Sequence, residues 1–173
     1  MTELDHTVLA LIARDGPLSA YGVRKDFAGS LTPTWSSSTG SIYPAIRRLS
    51  DGGFIHASAP KGGRGKQELR ITPAGRVALS KWLSMVTLDI AAATPDPIRT
   101  RAHFLRLLDA STRRKFLTDA RKRTEAAISI AERIFDERVA TGASKLEYLP
   151  GLGVLYELKA RRDWLDLLAR ELK

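Results

Sequence analysis

The chain has 173 residues, 43% of them hydrophobic and 27% charged, which is ordinary globular composition and enough length to bury a core. Cysteine is absent, which excludes disulfides, thiolate metal sites and thiol redox chemistry. The net charge of +9 favours a polyanionic partner, yet residues 1–89 hold 11 Lys/Arg against 7 Asp/Glu and residues 90–173 hold 17 against 12, so a nucleic-acid face must be sought in local placement.

The opening Thr2-Glu3-Leu4-Asp5 is acidic where a signal peptide is basic, and no apolar run is long enough to span a bilayer. A cytoplasmic location is the expectation. Leu4, Val8, Leu11 and Ile12 predict a helix over 3–14, with Thr2 and Asp5 spaced as a capping box. Gly16-Pro17 stops it. A second helix opens near Ser19, with Tyr21, Val23 and Phe27 as apolar contributors, and ends by Gly29 and Pro33. The polar loop Ser36-Ser37-Ser38-Thr39-Gly40 leads into a third helix that closes at Asp51-Gly52-Gly53.

Period then changes from helical to alternating. Residues 54–57 and 68–72 read as strands around the flexible basic tip Pro60-Lys61-Gly62-Gly63-Arg64-Gly65-Lys66. Thr72-Pro73 starts a further helix, which passes Val77, Trp82 and Met85. This order predicts a mainly α fold with a small two-stranded wing: a winged helix-turn-helix over 1–90, then a helical domain over 95–173. Beyond the Pro95-Asp96-Pro97 boundary, helices are expected at 97–108 (Ile98, Ala102, Leu105, Leu108) and at 112–141. The second of these carries Phe116 or Leu117, Ala120, Ala127, Ala131, Ile134 and Val139. Gly142 ends it. Ser144 and Glu147 box the start of a last helix that carries Leu152, Leu155, Leu158, Leu165, Leu168 and Leu172.

On the third helix, stepping about 100° per residue from Ile42 puts Ile46 and Leu49 on the buried stripe, flanked by Ala45. Gly40, Pro44 and Arg47 face the other way, with Ser41, Tyr43 and Arg48 toward the edges. Small and hydroxyl residues there allow close approach of the helix N-terminus to phosphates and base edges. Arg47 and Arg48 alone would suit a solvated helix face. Lys61, Arg64 and Lys66 on the neighbouring hairpin tip make two basic elements on one expected surface.

The run Gly40-Ser41-Ile42-Tyr43-Pro44-Ala45-Ile46-Arg47-Arg48-Leu49 resembles the recognition-helix signature of the PadR family of transcriptional regulators. Trp35, Gly53-Phe54-Ile55 and Leu69-Arg70-Ile71-Thr72-Pro73-Ala74-Gly75 fall where that family has similar residues, and 152–165 resembles its longer members. The resemblance implies a homodimeric repressor that contacts successive major-groove faces of a pseudo-palindrome in double-stranded DNA and is released by a small aromatic effector. Ser38, Thr39, Ser41, Tyr43, Pro44 and Arg48 would then lie along the groove, with Ser37 and Arg47 beside them. Arg24, Lys25 and the wing cations Lys61, Arg64 and Lys66 would hold phosphates.

The C-terminal leucines 152, 155, 158, 165, 168 and 172 need burial, and the same stripe of a second copy is the expected partner. Trp82 and Trp164 are either core residues or the walls of an effector pocket. His6, His56 and His103 lack carboxylates at metal-ligand spacing, Gly65-Lys66 lacks the rest of a phosphate-binding loop, and Ser36-Ser37-Ser38 has no base. Neither an enzyme nor a cofactor is expected. The alternative reading is a winged-helix module that docks proteins and has no specific DNA binding.

Overall fold

The computed structural model describes residues 1–28, 38–58 and 67–172, with only the backbone at 38 and 39. It divides into two compact units, Met1–Ala92 and Ala93–Lys173.

In the first unit, α1 (Glu3–Asp15) starts at Thr2, whose hydroxyl accepts from the Asp5 backbone N–H at 3.2 Å while the Asp5 carboxylate accepts from the Thr2 N–H at 2.8 Å. Two backbone donors at the helix start are thereby satisfied reciprocally. α2 (Ala20–Ala28) follows the Gly16-Pro17 break, and the Ser19 hydroxyl accepts from the Gly22 N–H at 3.1 Å. A short 3-10 turn, Ser38–Ser41, leads into α3 (Ile42–Asp51). Strands β1 (Ile55–Ala57) and β2 (Leu69–Ile71) pair antiparallel with Ile55 opposite Ile71 and Ala57 opposite Leu69. α4 (Pro73–Ser84) is capped by Thr72, whose hydroxyl accepts from the Gly75 N–H.

The core of this unit is built from Val8, Leu9 and Ile12 on α1, Val23 and Phe27 on α2, Ile42, Ala45 and Leu49 on α3, Ile55 and Leu69 from the hairpin, and Leu79. Burying each large member stabilises the fold by about 1.5–3 kcal/mol. Phe54 and Gly75 are in close approach: a Cβ at Gly75 would stand 2.2 Å from the Phe54 carbonyl oxygen, so glycine alone lets α4 pack on the end of the hairpin. Gly53 has φ of +71° and makes the turn out of α3.

Several sequence expectations need correction here. Leu18 pairs with Leu69 through hydrogen bonds of 2.8 and 3.3 Å, adding an edge to the hairpin where only a loop was expected. Tyr21 is 56% exposed and turns away from the core. Val77 is exposed, Met85 lies beyond the helix end and is half-exposed, and the inward positions of α4 are Gly75 and Leu79. On α3, Ala45 is fully buried and Ile46 only half-buried, so the inward stripe is rotated toward Ala45.

After a single turn, α5 (Leu88–Ala91), the second unit opens with α6 (Pro97–Ala102). The segment expected as one helix over 97–108 is broken: α6 stops at Ala102, a 3-10 turn spans Leu105–Leu107, and Leu108 is 38% exposed. Asp96 caps α6 by accepting from the Ile98 and Arg99 N–H groups, and its other oxygen takes Arg161 Nε at 2.8 Å. Burial alone would raise the Asp96 carboxyl, but these hydrogen bonds and the arginine charge hold it below its ordinary value.

Two long helices, α7 (Ala110–Ala140) and α8 (Lys145–Glu171), form the body of the unit. Gly142, with φ of +75°, makes the turn between them, and the Ser144–Glu147 capping box opens α8. Arg121–Asp166 at 2.6 Å and Lys159–Glu132 at 2.9 Å tie the pair along its edges. Leu105, Leu117 and Leu165 form one buried cluster, and Ile128, Ala131 and Leu155 another. Thr124 and Ile128, unremarked in the sequence, are buried on α7, whereas Val139 is 46% exposed.

Candidate nucleic-acid interface

The surface begins with how α3 is launched. Pro44 is the third residue of the helix, where a missing backbone N–H breaks no intrahelical bond, and it stands exposed. With Ile42, Ala45 and Leu49 inside, the outward side carries Ser41, Tyr43 (55% exposed), Pro44 and Arg47. Arg47 lies 3.8 Å from Asp51, with 85% and 72% of their side chains exposed, a contact too solvated to restrain it. Arg47 is therefore a free cation at the centre of the exposed face.

α2 supplies Arg24 and Lys25, both exposed. The Arg24 guanidinium lies 5.6 Å from the centre of the Tyr21 ring, which explains why that tyrosine faces outward: it serves as a shelf for the cation three residues on.

Arg48 behaves differently. Its Nε donates to Asp5 Oδ1 at 3.1 Å and its Nη2 to the same oxygen at 2.6 Å. Asp5 has 3% of its side chain exposed and Arg48 51%, so the pair runs from the interior to the surface. Burial pushes the Asp5 carboxyl upward, but hydrogen bonds from Arg48 and Thr2 outweigh it and hold the group below the usual carboxylate range. Donating to Asp5 correspondingly raises Arg48. α1 and α3 are thus joined by a charge-assisted link. Asp5 was legible as a capping residue, and nothing in local spacing pointed to a partner 43 positions away.

Ser37 and the wing cations Lys61, Arg64 and Lys66 lie outside the described residues, as does Trp35, and at Ser38 and Thr39 only the backbone is described. The base of the hairpin is described. Ser58 and Glu68 exchange hydrogen bonds of 2.9 and 3.0 Å, and His56 and Arg70 face solvent from opposite strands. Arg70, paired with Glu68 at 3.3 Å, is a further surface cation that the sequence reading passed over.

The C-terminal leucines meet their own chain. Leu165 is 1% and Leu155 5% exposed, packed on Leu117 and Leu105 and on Ile128 and Ala131 respectively, while Leu152, Leu158, Leu168 and Leu172 pack half-buried against the same clusters. Within the chain, α7 presents a matching stripe against these leucines. Large apolar side chains left exposed on α8 are Leu146, Leu149, Tyr156 and Leu167. Trp82 stacks on His6 with ring centres 5.2 Å apart and donates to Glu3 at 3.1 Å, and Trp164 packs half-buried against the Leu165 cluster. Each is accounted for by packing in its own unit. Among the described residues, no group of acidic or histidine side chains is arranged to hold a metal ion, and no helix is long and apolar enough to cross a membrane.

Comparison with known proteins bears directly on this surface. The negative transcriptional regulator PadR of Bacillus subtilis is 26% identical over 143 residues, covering 82% of this chain and 78% of that protein. The crystal structure of B. subtilis PadR in complex with operator DNA superposes with a TM-score of 0.85 at 24% identity, covering 99% of this chain and 100% of that one. The same protein in complex with p-coumaric acid gives a TM-score of 0.79 at 24% identity, covering 98% and 94%. The model of the transcriptional regulator PadR-like family matches residues 8–81, from within α1 to within α4, so the first unit is similar to that family.

Proposed function

We propose that the chain is a repressor that binds a pseudo-palindromic operator as a homodimer and is released by a small aromatic effector. Residues 1–90 act as the DNA-binding domain and 95–173 as the dimerisation domain. The observation that carries this reading is the outward face of α3: Ser41, Tyr43, Pro44 and Arg47 exposed together, with Arg24 and Lys25 exposed on α2. Such a face matches a groove edge flanked by phosphates. On this reading Ser37, Ser38, Thr39 and Arg48 also contact the DNA, and Lys61, Arg64 and Lys66 hold its phosphates. The repressor assignment draws support from the name of the B. subtilis relative, and the effector class from the p-coumaric acid complex of that protein. A role on the chromosome implies a cytoplasmic location.

Dimerisation, on this reading, uses surface of the second unit beyond the leucines already covered in the chain, with the half-buried Leu152, Leu158, Leu168 and Leu172 at its margin. Footprinting and gel shifts on the intergenic DNA beside the gene, with and without p-coumaric acid and other phenolic acids, test the reading. Protection of two half-sites and its loss on adding a phenolic acid are expected. Affinity for a scrambled duplex equal to that for the intergenic one would overturn it.

A further inference from the structure

We propose that Arg48 reads a guanine in the major groove and that Asp5 is the positioning residue that fixes its guanidinium for that task. The proposal rests on the DNA-binding reading above.

A guanidinium has five N–H donors in a rigid planar fork. Asp5 occupies the side-on edge: Nε–H and one Nη2–H both point at Oδ1, at 3.1 and 2.6 Å, with Oδ2 at 3.4 Å from Nε. The end-on edge, Nη1 with the second Nη2 proton, has no acceptor among the described residues, and half the side chain is in solvent. The carboxylate itself cannot move. It is buried, it sits in the first turn of α1, and the Thr2 N–H holds Oδ2 at 2.8 Å. Arg48 therefore meets DNA with its rotamer already set, on the flank of the helix that carries Tyr43, Pro44 and Arg47.

Two parallel donors match the N7 and O6 acceptors of guanine, whereas adenine offers a donor in place of O6. A fork held this way is directional and selects that base. Arg47, restrained by nothing closer than Asp51 at 3.8 Å, has the opposite character and suits a phosphate.

The test uses the full chain and duplexes enriched by the wild-type protein from a random-sequence library. Each G·C pair of the enriched consensus is then replaced in turn by A·T, and affinities are measured at one salt concentration. Arg48→Lys keeps the charge and loses the fork; it is expected to lose about 5- to 150-fold of discrimination at a single G·C position in each half-site. Asp5→Asn, nearly isosteric, is expected to lose a smaller share at the same position, and the double variant no more than Arg48→Lys alone. Arg47→Ala should weaken every duplex equally. Full discrimination retained at every G·C by Arg48→Lys would overturn the proposal while leaving the DNA-binding reading intact, as would an Asp5→Asn loss spread evenly over all duplexes. Enrichment of no sequence by the wild type would overturn both. If Asp5→Asn does not fold, the Arg48→Lys profile decides alone.

Discussion

Replacing Asp5 by asparagine isolates the energy of the link between α1 and α3. The single amide oxygen of the new side chain can serve the Thr2 N–H or the Arg48 fork, but not both, and it carries no charge. A hydrogen bond to a charged group contributes about 1.5–3 kcal/mol, and the half-exposed position of Arg48 lowers this to about 1–2 kcal/mol. In a chain of this size each kcal/mol moves Tm by about 2–4 °C, so Asp5→Asn should melt about 2–8 °C below the wild type at pH 7. The folded carboxyl titrates below its ordinary value of about 3.9, so its contribution is complete above that pH and is lost as pH falls through the folded value. The gap between the two proteins should stay constant from about pH 7 to 5 and close below about pH 4. Asp15, Asp96 and Asp109 are also held low, but they titrate in both proteins and cancel in the difference. Thermal melts followed by circular dichroism across that range provide the measurement. An absent gap at pH 7, or one that persists undiminished at pH 3, would refute the argument.

Three further outcomes follow from the structure. Arg47→Ala should leave Tm unmoved, because nothing in the fold leans on that side chain, and should lower the slope of log affinity against log salt by about 2, one contact per protomer of the proposed homodimer, in a gel-shift series. Gly75→Ala places a methyl group 2.2 Å from the Phe54 carbonyl oxygen and should destabilise by about 1–3 kcal/mol in urea titration; an unchanged midpoint would show that α4 can slide off the hairpin without cost. Leu165→Ala, at a 1% exposed site, should destabilise by about 2–5 kcal/mol even in a chain held monomeric by dilution, because its partners are Leu117 and Leu105 of the same chain.

Many helix boundaries in both units were legible because they are written in short-range chemistry. Thr2 with Asp5, Gly16-Pro17, Thr72-Pro73, Gly142 and Ser144 with Glu147 each act within four residues, and the helices start or stop where these signals stand. The candidate surface was legible in the same measure: the outward side of α3 follows from one helical wheel, and Tyr43, Pro44 and Arg47 are exposed as that wheel requires. What escaped depends on distance along the chain. The bridge of Leu18 to Leu69 crosses 51 positions and joins two residues that are each unremarkable alone. Asp5 had a complete local explanation as a capping residue, which hid its second partner.

The leucine stripe of α8 shows a different limit. An amphipathic stripe states that an apolar face will be covered, and it is silent on whether the cover belongs to the same chain. Here the decision lies in α7. Leu117, Thr124, Ile128 and Ala131 recur at helical spacing, and the tight turn at Gly142 brings them against Leu155 and Leu165 at the effective concentration of a hairpin. A second copy competes for the same face at its bulk concentration, several orders of magnitude lower, so the intramolecular pairing wins wherever the two stripes match. α7 leaves Leu146, Leu149 and Tyr156 of α8 uncovered, so the intrachain match is confined to the face that carries Leu155 and Leu165.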